Sequence, residues 1–214
     1  MKLVLATRNL GKVKELTVML TEYREASENK QDLKDIEILS LQDFPDAPEV
    51  EEDKDTYEGN ASKKASVIAD YTGIRALADD AGLEVDALDG APGVHSKRWA
   101  GEDVTDAVRI QKLLEALEGS KNRKARFVAA IAIAEPSIVN DTIDEKTTSV
   151  DNIQVVVGKC EGSITDTPAG DGGFGYDPIF IPDGYDKTFA ELGDTIKNRI
   201  SHRSDALRQA IILL

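Results

Sequence analysis

The chain has 214 residues, 41% of them hydrophobic and 31% charged, and a net charge of −14 at pH 7. That length suits one large domain or two small lobes. The acidic excess argues against a nucleic-acid partner, and no apolar run approaches the roughly 20 residues that span a bilayer. The apolar part of Met1–Thr7 is too short for a signal peptide, and the single Cys160 cannot form an internal disulfide. A cytoplasmic protein is expected.

Lys2–Ala6 reads as a buried strand, Thr7-Arg8-Asn9-Leu10 as a turn, and Gly11–Tyr23 as a helix with apolar positions at Val13, Leu16, Leu20 and Tyr23. Ile36–Leu41 is a second strand. Asp43–Lys54, acidic and containing Pro45 and Pro48, is a loop. Thr56–Tyr71 is a helix with Thr56 as its cap. Arg75–Ala78 and Leu83–Leu88 read as two short strands flanking the acidic turn at Asp79-Asp80, and Gly90–Gly93 as a turn. Asp103–Leu117 is an amphipathic helix. Arg126–Ala134 and Ile153–Cys160 are β-rich runs joined by the polar Glu135–Asn152, a long hairpin loop. Pro178–Ile181 is a short strand and Ser204–Leu214 a closing helix. Strands and helices interleave early and a hairpin follows. This predicts an α/β fold, an elongated central mixed β-sheet with flanking helices, as one domain over 1–214 with two lobes forming a cleft.

Several segments carry chemistry. Two adjacent carboxylates, Asp79 and Asp80, are costly to hold together unless a cation or proton offsets their repulsion, which points to a divalent metal. The acidic stretch Glu49–Asp53 is ordinarily solvated and matters only if it folds over that turn. One carboxylate from each segment, with water and substrate phosphates, would satisfy magnesium. Thr7 and Asn9 are N-cap types before a helix start, where free amides attract anions. Lys12 adds a cation one turn in, although an ordinary capped helix with a surface lysine fits as well. Asn60 and Lys64 share a helix face. Lys64 either snorkels to water or projects into a cleft. Gly170, Gly172 and Gly175 match Gly-x-Gly-x-x-Gly formally, but Thr167-Pro168 precedes and Asp177-Pro178 follows, so this is no dinucleotide fingerprint. In that pliable loop Phe174 or Tyr176 either stacks on a base or plugs the core. Lys197, His202 and Arg203 are either surface cations or converge on a ligand.

Together these segments resemble the inosine triphosphate pyrophosphatase family, also called Ham1-like. The resemblance runs in order through Ala6–Lys12, Thr56–Ala61 with Lys64, Ala78–Leu83, Gly90–Val94, Gly173–Pro178 and Ser201–Arg203. It implies hydrolysis of the inosine triphosphates ITP and dITP and the xanthosine triphosphate XTP to the monophosphate and pyrophosphate, with Mg2+ as cofactor, by a homodimer that binds neither nucleic acid nor membrane. By motif position, Thr7, Arg8, Asn9, Leu10, Gly11 and Lys12 should hold the triphosphate, with Lys64 beside them. Asp80 should ligate the metal and accept the proton of the attacking water, and Glu51, or Glu52 after a small slip, should be the second metal ligand. Phe174, Gly175, Tyr176 and Asp177 should contact the nucleoside, and Lys197, His202 and Arg203 should reach the substrate. The chain departs from the family in having Ala81 in place of the usual serine, Arg8 where glycine is common, and a longer 135–152 loop. Two rivals are a non-catalytic nucleotide sensor on the same fold and a Maf-like nucleotide pyrophosphatase of different base preference.

Overall fold

The computed structural model describes residues 1–26, 36–137 and 152–214. Most of the loop expected over 135–152 lies outside the described residues. Six strands form one sheet in the order β2-β1-β3-β4-β5-β6. β1 (Lys2–Leu5) is followed by helix α1 (Leu10–Ala26) and then β2 (Glu37–Ser40). β1 pairs in parallel with β2, Lys2 opposite Glu37, and with β3 (Ala76–Val85), Val4 opposite Ala76. Leu3, Val4 and Leu5 are all buried, as expected of a parallel strand covered on both faces. β4 (Lys124–Ala134), β5 (Ile153–Ile164) and β6 (Phe180–Pro182) complete the sheet, and β5 and β6 are antiparallel. The sheet is therefore mixed, as the alternation of elements predicts.

Contacts group the chain into two compact units. One comprises Met1–Asp80, Ala130–Val156 and Arg208–Leu214, and the other Ala81–Ala129 and Val157–Leu207. Strands β3, β4 and β5 contribute residues to both.

In the first unit, α2 (Tyr57–Thr72) starts at Thr56, whose side chain accepts from the Gly59 amide, and ends at Gly73 in the left-handed region. Its buried stripe is Tyr57, Asn60, Ala61, Lys64, Ala65, Ile68 and Ala69. The spacing is that of one helix face, yet two members are polar. The predicted acidic turn is not formed. β3 runs unbroken from Ala76 to Val85, and Asp79 and Asp80 lie in mid-strand. Successive strand side chains leave on opposite faces, so the two carboxylates avoid the close approach the sequence suggested and take different partners.

In the second unit, α3 (Asp106–Ala116), α4 (Phe189–Ile200) and α5 (His202–Ala210) surround a core that includes Leu83, Leu113, Phe127, Tyr176, Ile179, Phe180 and Phe189. Cys160 belongs to this core, and burial pushes its thiol up to about 12, which leaves it protonated and inert. Helix α4 was not expected. A capping box of Thr188 and Glu191 opens it, and it kinks at Gly193. Helix α5 lies against β5 at Gly158, where a Cβ would sit 2.2 Å from the Ala206 backbone nitrogen and 2.4 Å from the His202 carbonyl oxygen. No side chain can yield there, because both obstacles are backbone. Gly158→Ala should cost about 1–3 kcal/mol by overpacking. Chemical denaturation checks this, and an unchanged midpoint would mean that α5 does not lie this close.

Candidate active site

In the first unit the chain leaves β1 and turns into α1 through Thr7–Asn9. The Asn9 side chain accepts from the Lys12 amide at 3.1 Å, so Asn9 caps the helix, and Thr7 Oγ1 accepts from the Asn9 amide at 3.2 Å. Amides in a helix's first turn have no intrahelical acceptor, and here they begin at Leu10 and Gly11. Lys12 Nζ lies 3.2 Å from Asp79 Oδ1, whose side chain is wholly buried. Asp79 thus holds the lysine at the helix start. Arg8 turns away, its guanidinium donating to the Ala47 carbonyl at 2.7 Å.

The acidic loop does fold back, and α2 stitches it in place. Lys63 Nζ donates to the Glu51 carbonyl at 2.9 Å and pairs with Asp53 at 2.9 Å. Lys64 Nζ donates to Glu52 Oε1 at 2.5 Å and to the Asp79 carbonyl at 2.7 Å, and lies 3.5 Å from Asp80 Oδ1. Asn60 donates to Asp80 Oδ2 at 3.0 Å. The structure therefore brings Glu52, not Glu51, towards Asp80. The side chain of Glu51 is exposed, while Glu52 reaches the Lys64 ammonium.

Glu52 and Asp80 share the Lys64 ammonium, and Asp79 pairs with Lys12. Burial pushes the Asp80 carboxyl above the usual range, and Lys64 pulls it back. Glu52 raises it further, while Lys12 and the Asn60 hydrogen bond oppose. Burial would by itself lower Lys64, but Asp80, Asp79 and Glu52 more than offset that, and its ammonium is held charged. Among the described residues no three His, Cys, Asp or Glu side chains form a ready metal cage. Magnesium does not require one, since it keeps several waters and uses one or two carboxylates with substrate phosphates. The donor set of Glu52 and Asp80 is all oxygen. Its net negative charge already attracts one cation, the Lys64 ammonium, into the space between the two carboxylates. These residues fit a hard divalent ion.

In the second unit the glycine loop is tied down at several points. The buried Asp177 carboxylate folds back so that Oδ2 accepts from the Phe174 amide at 2.9 Å and from Lys197 Nζ at 2.5 Å. Gly173, at φ +73, makes room for it, because a Cβ there would meet Asp177 Oδ2 at 2.1 Å. Asp106, at the start of α3, accepts from the Gly175 amide at 2.7 Å. The two aromatics of the loop take different environments. Tyr176 is the core plug, buried, with its hydroxyl donating to the Ser96 carbonyl at 3.1 Å and its pKa pushed up to about 12 by burial. Phe174 stays half-buried, with Lys197 Nζ 4.5 Å and Arg203 Cζ 5.9 Å from its ring centroid.

Lys197 and Arg203 are each 2% exposed and are not the surface cations of one reading. His202 is a core ring, stacked on Phe127 at 4.7 Å with 14° between the planes. Ala81 is half-buried beside Asp80 in the chain. Sequence reasoning does not reach Asp106, and it names Asp79 and Asn60 without their partners. Asp79 acts as the partner of Lys12, and Asp106 as a ligand of the loop backbone. Asn60 was noted on the helix face, but its bonds to loop and strand were not foreseen.

The sequence model of the Ham1 family matches residues 3–212. The chain belongs to the Ham1 family. This Ham1 chain is 47% identical to a protein described as dITP/XTP pyrophosphatase from Desulforamulus reducens, over all of this chain and 96% of the relative. It is also 47% identical to one of the same description from Exiguobacterium sp., over 98% and 94%. The structure of a HAM1 protein from Coxiella burnetii superposes with a TM-score of 0.80 at 39% identity, covering 100% of this chain and 98% of that one. The Staphylococcus aureus Ham1 protein gives 0.77 at 34% identity, covering 98% and 96%. The mixed α/β architecture of this Ham1 protein is thus that of its solved relatives. No helix among the described residues is long and apolar enough to cross a membrane.

Proposed function

We propose that this chain is a nucleoside triphosphate pyrophosphatase that hydrolyses inosine, deoxyinosine and xanthosine triphosphates to the monophosphate and pyrophosphate, clearing them from the nucleotide pool. The observation that carries the reading is the part-buried group of Asp80, Glu52 and Lys64, with Lys12 held by Asp79. It pairs a carboxylate able to accept a proton with two cations for phosphate charge. Homologues covering the whole chain are described as dITP/XTP pyrophosphatases.

In this reading residues 1–214 act as one functional domain. Thr7–Lys12 receive the triphosphate, with the first-turn amides of α1 and the Lys12 ammonium facing its oxygens. Glu52 and Asp80 hold the metal, which we assign as magnesium. Held there by these two carboxylates, it would supply charge neutralisation for the phosphates and acidification of water. Asp80 orients the attacking water and accepts its proton as the water adds to the α-phosphorus and pyrophosphate leaves. Lys12 and Lys64 stabilise the charge that develops.

Phe174–Asp177 contact the nucleoside, with the Phe174 ring set by Lys197 and Arg203 for stacking. Arg203 supplies donors for the six-carbonyl of inosine and xanthosine. Adenine presents a donor there, and an unsatisfied buried donor costs about 1–3 kcal/mol. A homodimer in the cytoplasm completes the proposal.

The test is to supply purified protein and magnesium with inosine, xanthosine, adenosine and guanosine triphosphates in turn, and to measure pyrophosphate against orthophosphate. Pyrophosphate from the first two, with little from the others, is expected. Orthophosphate alone would move cleavage to the terminal phosphate and overturn the mechanism. Bound inosine triphosphate without turnover would establish a sensor, and preference for other bases a Maf-like enzyme.

A further inference from the structure

We propose that Asn60 is a positioning residue of the metal and phosphate site, acting through both the acidic loop and Asp80. Its carboxamide is 1% exposed and makes three hydrogen bonds. The side-chain oxygen accepts from the Lys54 amide at 2.9 Å, and the nitrogen donates to the Lys54 carbonyl at 3.3 Å. The same nitrogen donates to Asp80 Oδ2 at 3.0 Å. One side chain thus engages both backbone groups of a loop residue, much as a neighbouring strand would, and one oxygen of the proposed base.

This arrangement does two things. It clamps the loop two residues beyond Glu52, so that Glu52 is presented to Lys64 and the Asp80 side of the cluster. It also occupies Asp80 Oδ2, leaving Oδ1 as the oxygen turned to Lys64 Nζ. The carboxamide suits both tasks, being the smallest side chain with an acceptor and a two-hydrogen donor on one rigid plane. Its place on the buried stripe of α2, one turn before Lys64, fixes the two in mutual register. Partners that orient ligands commonly change metal affinity or activity 10- to 100-fold when removed.

The inference rests on the metal reading above, and its test separates the two. Mn2+ is titrated into the nucleotide-free protein, with free Mn2+ followed by electron paramagnetic resonance, for wild type, Asn60→Ala, Glu52→Gln and the double variant. Steady-state kinetics on inosine triphosphate and melting in chelator run alongside. Asn60→Ala should weaken Mn2+ binding about 10- to 100-fold and lower kcat comparably. Glu52→Gln should add little on the Asn60→Ala background, because the clamp that presents Glu52 is already gone. If Asn60→Ala does not fold, Asn60→Ser, too short to reach both loop and strand, should show the same loss. Mn2+ affinity within twofold of wild type in the folded variant, or additive effects of the two substitutions, would reduce Asn60 to a satisfied core amide. Wild type that takes up no Mn2+, either alone or with a non-hydrolysable inosine triphosphate analogue, would overturn the metal site itself, and Asn60's role with it.

Discussion

Asp80→Asn is expected to lower kcat for inosine triphosphate by about 10²–10⁴-fold, the range for losing a positioned general base, while the protein remains folded. The geometry explains why the loss should be chemical rather than structural. Asparagine keeps the shape, and its oxygen can still accept from Asn60. Lys64 retains Glu52 and the Asp79 carbonyl. Burial already disfavours the charged form of Asp80, so neutralising it relieves a cost, and the melting temperature should stay level or rise. A single-turnover assay with a melting curve tests both halves. A kcat within tenfold of wild type would remove Asp80 from the role of proton acceptor, and a collapsed melting curve would make it a structural carboxylate.

Lys197→Met should be the most destabilising single change in the second unit. Lys197 and Asp177 are 2% and 1% exposed and 2.5 Å apart. Removing one partner leaves the other charge buried, at a cost of about 3–5 kcal/mol. At roughly 2–4 °C per kcal/mol for a chain of this size, melting should fall by about 6–20 °C. The companion variant Asp177→Asn/Lys197→Met removes both charges and keeps an acceptor for the Phe174 amide. It should recover much of the loss, since a neutral replacement of a buried pair is often tolerated. A drop below about 2 °C in the single variant, or no recovery in the double, would show that the pair does not hold the loop. The function should follow the same order. Both variants lose the cation 4.5 Å from the Phe174 ring centre, but only the single variant leaves the Asp177 carboxylate that accepts from the Phe174 amide without its Lys197 ion pair, so the Michaelis constant for inosine triphosphate should rise more in the single variant.

Much of this protein is legible in its residues. The strand at the start, the Thr56 cap, the amphipathic helix read over Asp103–Leu117 and the loop over Asp43–Lys54 all follow from local chemistry, and the structure has each of them, the helix beginning at Asp106. So does the mixed sheet, from the order in which helices and strands alternate. The family motifs were legible too, because they are contiguous stretches. The capping box at Thr188 and Glu191 was also readable, but Gly193 two residues later broke the helical pattern and hid α4.

What the residues alone could not decide depends on partners distant in the chain. Acids are poor strand residues, so local propensity breaks β3 at Asp79-Asp80. Lys12, Asn60 and Lys64 arrive from two helices to balance those acids, and the strand continues. The choice of Glu52 over Glu51 follows no periodicity, since both sit in an irregular loop. It is made by Asn60 and Lys64, which grip that loop from a helix face. Phe174 and Tyr176 are equivalent aromatics in composition, and only distant partners make Tyr176 core: the apolar cluster it joins and the Ser96 carbonyl, 80 positions away, that takes its hydroxyl. The stacking of His202 on Phe127, far away in the chain, is likewise invisible to spacing. Local propensity and motif spacing therefore determined the elements and the chemistry available. Burial, which makes every unpaired charge costly, decided which of those groups face one another.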